Sequence, residues 1–325
     1  MKFLALCFNT PEMDKLEFVK PNYGKKYPGA GWMRHLQSFC CDGKTMVTTG
    51  KRAIELLQDK GINSSDIHII QEENNEDGVF LQGMGAKKSV IMCLESPIYA
   101  SRFYDHPNDS GFKHKLYFNG GTEQLYFPSF DTADIRTPVP WDDRKFLCMV
   151  TANKHYSMLA EYKAYLSEIS PRFSDAMKTQ LQDYRYEAIN YFAKKPGFNL
   201  YGRGWPDGLG AECADKLATI SQYKFALCFE NGSYPGYITE KVIDCFVAGV
   251  VPIYMGAPDI EDYIPKELFI DAREFKSFQH IEENLRYLSE HEDKEIHDAQ
   301  RWLLSEDGKK YNNFYFAKRP VEMCE

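Results

Sequence analysis

Between positions 230 and 241 the chain gathers Glu230, Asn231, Tyr237, Glu240 and Lys241, five groups that can carry charge or exchange hydrogen bonds, in one short polar loop. The loop opens a helix. From Thr239 the apolar residues Val242, Ile243, Phe246 and Val247 keep a helical period, with Thr239 as the expected N-cap and Gly249 as the stop. A helix N-terminus presents free backbone N–H groups and partial positive charge, so an anion such as a diphosphate is the expected guest. Lys241 in the first turn opposes the helix dipole and needs a further reason to be there, which a bound anion supplies. Taken singly, Glu240 or Lys241 reads as a solvated charge; five polar groups bracketed by two buried strands favour a ligand site.

Those brackets are the apolar runs 225–229 and 250–254, which read as strands covered on both faces. Strand, loop, helix and strand within 223–256 make a parallel crossover, and open α/β sheets bind ligands at the carboxyl ends of their strands, where this loop lies. A second carboxylate has a comparable position. Glu95 ends the apolar run 88–95 (KSVIMCLE) and is followed by Ser96 and Pro97. Partial burial there would raise its pKa toward that of a useful general base, against an equal expectation of a strand-end charge in water. The glycine-rich turn Gly202-Arg203-Gly204 follows the strand 198–201 without the spacing of a dinucleotide fingerprint or P-loop.

Around these groups the chain reads as α/β with two domains, 1–152 and 153–300, and an aromatic tail, 301–325, that packs back on the body. A long helical stretch after the boundary is broken at Pro171, and its second part, from Ser174 to about Lys195, carries Arg185. The segment 268–271 reads as a strand and 277–304 as largely helical. The polar insertion 11–31 is long enough to be functional; Tyr23, Tyr27 and Trp32 at its end form a candidate sugar-stacking lip, with a buried Trp32 as the equal alternative. A net charge of −8 on 325 residues argues against a nucleic-acid partner. Nine cysteines, an odd number with no C-x-x-C pair, point to a reducing, cytoplasmic setting rather than a disulfide framework. No stretch reaches transmembrane length, although a peripheral membrane association is compatible with the composition. No metal-ligand spacing such as H-E-x-x-H, and no Asp-x-Asp pair, is present.

The run 225–258 (FALCFENGSYPGYITEKVIDCFVAGVVPIYMGAP) resembles the signature block of the α-1,3/α-1,4-fucosyltransferases, family 10 of the glycosyltransferases. Leu94-Glu95-Ser96-Pro97, Val150-Thr151-Ala152-Asn153, Tyr201-Gly202-Arg203 and Phe269-Ile270-Asp271 follow in the family's order, so the resemblance covers roughly 90–290. It implies a GT-B fold, two Rossmann-like domains facing across a cleft, the C-terminal one binding GDP-fucose and the N-terminal one an N-acetyllactosamine-like oligosaccharide acceptor. Carried over by residue, Glu95 matches the general base. Asn231, Tyr237, Glu240 and Lys241 match the donor-binding set, with Glu240 orienting donor hydroxyls. Arg185 matches the arginine that contacts the diphosphate, and Arg203 competes for that role. The implied reaction inverts the anomeric carbon and requires no cofactor or metal, because cations and the helix N-terminus can hold the leaving group. Ser129 departs from the family, several of whose members carry tyrosine after the proline that stands here at Pro128. Transfer from another GDP-sugar and a catalytically idle nucleotide-sugar-binding protein are the competing readings; the pairing of Glu95 with Lys241 argues against the second, since a binder needs no base.

Overall fold

The apolar runs assemble into two five-stranded, all-parallel sheets, each at the centre of its own unit. The computed structural model describes residues 1–9, 31–73, 75–100, 103–104, 109–153, 177–206, 209–290 and 295–325. One unit is Met1–Ser129 with Lys310–Glu325, the other Phe130–Lys309.

In the first unit, β1 (Lys2–Cys7), β2 (Thr45–Thr49), β3 (Ile67–Glu72), β4 (Lys87–Cys93) and β5 (His114–Tyr117) lie in the order β2-β1-β3-β4-β5. Helices α1 (Gly50–Lys60) and α2 (Glu76–Gly83) supply crossovers. Thr49 caps α1 by accepting from the Arg52 N–H, and Gly61 ends it in the left-handed conformation at φ 60°. Leu4, Ile69, Ile70 and Val90 are fully buried because a parallel sheet is covered on both faces. The C-terminal helix Asn313–Glu322 belongs here too. Its Phe316 meets Trp32 of the 3-10 helix Gly31–Phe39 edge-on, with ring centroids 5.3 Å apart.

The second unit contains β6 (Lys145–Val150), α3 (Gln182–Phe192), β7 (Phe198–Tyr201), α4 (Lys216–Ile220), β8 (Tyr223–Phe229), α5 (Glu240–Ala248), β9 (Val251–Met255) and β10 (Ile270–Asp271). These are followed by α6 (Phe278–Ser289) and α7 (Glu295–Leu303). Its sheet runs β10-β9-β8-β6-β7, so each sheet, numbered from its own first strand, has the order 2-1-3-4-5. This doubly wound arrangement reverses direction between β1 and β3 in one unit and between β6 and β8 in the other, the places where such sheets hold ligands.

The structure corrects three expectations about the elements. The units part between Ser129 and Phe130, not at 152, because Lys145–Val150 pairs with Phe198–Tyr201 and Tyr223–Phe229 and is therefore a central strand of the second sheet. The helix bearing Arg185 starts at Gln182 rather than Ser174: the Leu181 N–H is bound to the Asn231 carbonyl, and Gln180 bridges Gly232, which holds that segment extended. Of 268–271, only Ile270–Asp271 pairs as a strand, since Lys266–Leu268 forms a 3-10 turn. The helical break at Pro171 lies outside the described residues. Among those described, no helix is long and apolar enough to cross a membrane.

Candidate functional site

In the second unit a cavity opens at the carboxyl ends of β6 and β8, where the strand order reverses. Met149 and Val150 line it from one strand, and Leu227, Cys228 and Phe229 from the other. Its charged lining residues are Arg185, Lys216 and Lys241, all cations. The carboxylates that pair with two of them, Glu230, Glu240 and Asp244, do not line it. A surface of this kind favours an anion.

The fixed point of the site is Glu230, with no exposed surface. Its carboxylate accepts from the Thr239 N–H at 2.8 Å, from the Thr239 hydroxyl at 2.8 and 3.0 Å, and from Lys241 Nζ at 2.9 Å. Thr239 stands at the N-cap of α5 but makes no side-chain capping bond, because its hydroxyl is turned to Glu230 instead. The helix start thus keeps the electrostatic character that suits an anion. Gly256 makes room for this arrangement: a Cβ there would lie 2.2 Å from the Tyr254 hydroxyl and 2.5 Å from Glu230 Cγ. Gly249, at φ 69°, ends α5.

Lys241 also lies 3.5 Å from a Glu240 carboxylate oxygen. Burial would lower the pKa of its ammonium, but Glu230 and Glu240 outweigh that and hold it above the usual lysine value. Burial works the other way on Glu240, and there Lys241 and Lys216 prevail, drawing its carboxyl down to about 2. Both groups are therefore ionised at neutral pH. Arg185 is 6 % exposed and donates from Nη1 to Asn231 Oδ1 at 3.0 Å and to Gln182 Oε1 at 3.3 Å. Asn231 donates in turn to the Tyr237 hydroxyl at 3.2 Å.

Asn231, Tyr237, Glu240, Lys241 and Arg185 are thus brought together, yet not as equals. Tyr237 is 1 % exposed and stands behind Asn231, so it positions the amide rather than offering a surface to a ligand. Arg203 does not join them. It is exposed on the turn after β7, whose Gly202 sits at φ +124° against the Thr151 carbonyl, where a Cβ would be 2.1 Å away. The sequence placed Glu230 among the polar groups of the loop without giving it a role of its own, and it did not single out Lys216. The available signal for Lys216 was Asp244, an acid in the otherwise apolar run of α5 that had to find a cation.

In the first unit Glu95 follows β4 and is exposed, not partly buried. Its carbonyl accepts from the Tyr104 hydroxyl at 3.1 Å, which fixes the backbone there. The carboxyl that burial does raise is Glu72, at the end of β3: desolvation first, then the charge of Glu73, push it up to about 7. Trp32 is corrected as a sugar platform. It has no exposed surface and lies between Phe8 and Phe316, a core role. Tyr23 and Tyr27 lie outside the described residues. Among those described, no three His, Cys, Asp or Glu side chains are grouped to hold a metal ion.

Two doubly wound, all-parallel units make up the GT-B fold. In an alpha1,3-fucosyltransferase crystallised with GDP-fucose the same fold recurs at a TM-score of 0.52 and 16 % identity, over 100 % of this chain and 90 % of that one. Residues 173–324 match the family model for glycosyltransferase family 10 (fucosyltransferase) C-term. The chain is 35 % identical over 137 residues to the alpha-(1,3)-fucosyltransferase FucT of Helicobacter pylori, 41 % of this chain and 28 % of that protein. It is 37 % identical over 97 residues to the mouse 4-galactosyl-N-acetylglucosaminide 3-alpha-L-fucosyltransferase 9, 29 % of this chain and 26 % of that one. The matched segment thus spans little more than a quarter of either relative.

Proposed function

We propose that the chain is an inverting α-1,3-fucosyltransferase that moves L-fucose from GDP-fucose to a hydroxyl of a GlcNAc- or glucose-containing glycan without a metal ion. The observation that carries this reading is the cavity at the β6/β8 switch point, whose charged lining consists of cations. The family match over 173–324 and the names of the relatives support the sugar and the linkage.

In this reading Lys241, Arg185 and the start of α5 hold the diphosphate, and they neutralise it as the bond from the fucose anomeric carbon to the phosphate oxygen breaks. The electron pair stays with GDP. The acceptor oxygen attacks from the opposite face, and its proton passes to the Glu95 carboxylate, whose exposure leaves it accessible. Ionised Glu240 accepts hydrogen bonds from donor hydroxyls and faces the positive charge that develops on the sugar ring.

Incubating the protein with labelled GDP-fucose and N-acetyllactosamine, in buffer containing a chelator, tests the reading. Fucosylated product with the anomeric configuration opposite to the donor's is expected. No transfer, with no binding of GDP, would overturn it, and GDP-mannose run in parallel separates a different GDP-sugar. Glu95→Gln is expected to abolish turnover while leaving donor affinity nearly unchanged.

A further inference from the structure

We propose that Lys216 is a third diphosphate-binding cation of this pocket, the one that meets the charge appearing on the leaving group when the sugar departs. The proposal rests on the donor reading above and goes beyond it. Lys216 lines the same cavity as Arg185 and Lys241, at the first position of α4, where Asp215 caps the helix by accepting from the Ala218 N–H at 3.0 Å. Its Nζ is 2.6 Å from Asp244 Oδ2, one turn along α5 from Glu240. The lysine side chain is 32 % exposed and the aspartate 12 %, so the acid lies the deeper of the two and anchors a lysine that lines the cavity.

The three cations are held in different ways. Arg185 is bound to the neutral amides of Asn231 and Gln182, and Lys241 is shared between Glu230 and Glu240. Among the described residues, Lys216 has a single bonded carboxylate, Asp244. Burial would lower its pKa, but Asp244 and Glu240 more than compensate and keep it charged. The substrate chemistry supplies the reason for a third cation. A diphosphate esterified at both ends carries two negative charges. Once the sugar–oxygen bond breaks, the freed terminal phosphate gains a further ionisable oxygen, with a second pKa of about 6. A cation placed for that oxygen interacts more strongly with the cleaved state than with the intact donor, which is how binding energy reaches the rate.

Calorimetric titration of the full-length protein with GDP and with GDP-fucose, together with steady-state kinetics, tests this in wild type, Lys216→Met, Lys216→Arg and the double variant Lys216→Met/Asp244→Asn. Lys216→Met is expected to weaken GDP by roughly 10- to 100-fold, the range of a lost charged hydrogen bond, and GDP-fucose by much less. It should lower kcat with little change in KM. Lys216→Arg should restore most of the GDP affinity. Equal losses for GDP and GDP-fucose, or none, would overturn the assignment. So would wild-type GDP affinity in the double variant, because the loss would then come from the stranded Asp244 carboxylate. Failure of the wild type to bind GDP would remove the donor reading itself, an outcome distinct from these.

Discussion

Glu230 is the residue on which the candidate site turns, although its carboxylate does not line the cavity. A fully buried carboxylate is stable only while its partners remain, and here Thr239 and Lys241 supply them. Removing one member of such a pair costs about 3–5 kcal/mol. Lys241→Met is therefore expected to lower unfolding stability by about that amount in urea denaturation and to abolish measurable GDP binding in the same preparation. A variant of unchanged stability would mean that Glu230 is satisfied without the lysine. Glu72 supplies a test by pH in the other unit. Its carboxyl is raised from 4.5 to about 7, so the folded state binds the proton more tightly than the unfolded chain. The stability it contributes is fully present below pH 4.5 and is lost as pH rises through 7. At 1.36 kcal/mol per unit, and with some solvent screening, Glu72→Gln should be the more stable form by about 1–3 kcal/mol at pH 8 and equal to wild type near pH 4. Chemical denaturation at the two values measures it.

At the scale of elements, the unit β8–loop–α5–β9 works because two glycines allow close approach. Gly249 ends the helix in a conformation that costs other residues about 1 kcal/mol, and Gly256 leaves space for the Tyr254 hydroxyl and Glu230. Gly256→Ala is expected to push both groups aside. Its melting temperature should fall by several degrees, with GDP affinity lost as the Glu230–Lys241 pair is displaced, and retained affinity would show that the loop can relax around the methyl group. This unit was legible because its signals are local: a buried apolar strand, turn residues, a 3.6-residue period and a stop at Gly249. The cap was legible only in part. Thr239 stands where the pattern puts it, but its hydroxyl serves a carboxylate nine residues earlier, and local pattern does not report such a partner.

For the whole molecule, the chain returns to its beginning. Residues Lys310–Glu325 complete the first unit, with Phe316 at no exposure against Trp32. Truncating a buried phenylalanine costs about 3–5 kcal/mol. Phe316→Ala should therefore destabilise the first unit by that amount in a calorimetric scan while GDP affinity, which the proposed reading assigns to the second unit, stays near wild type. A parallel loss of GDP binding would show that the two units do not unfold independently.

The sequence by itself determined the parallel α/β class and the crossover at 223–256, together with the grouping of Asn231, Glu240 and Lys241 at one helix start. These follow from short-range periodicity and from the charge preference of a helix N-terminus. Only the tertiary structure decided the rest. It placed Lys145–Val150 in the second sheet, because parallel pairing joins residues far apart in the chain. It selected Arg185 over Arg203 for the pocket and added Lys216 through its pairing with Asp244. It buried Trp32 and Glu230, while Glu95 remained exposed. Whether a polar or aromatic side chain faces water or a partner depends on which distant segment covers it, and residue type does not settle that.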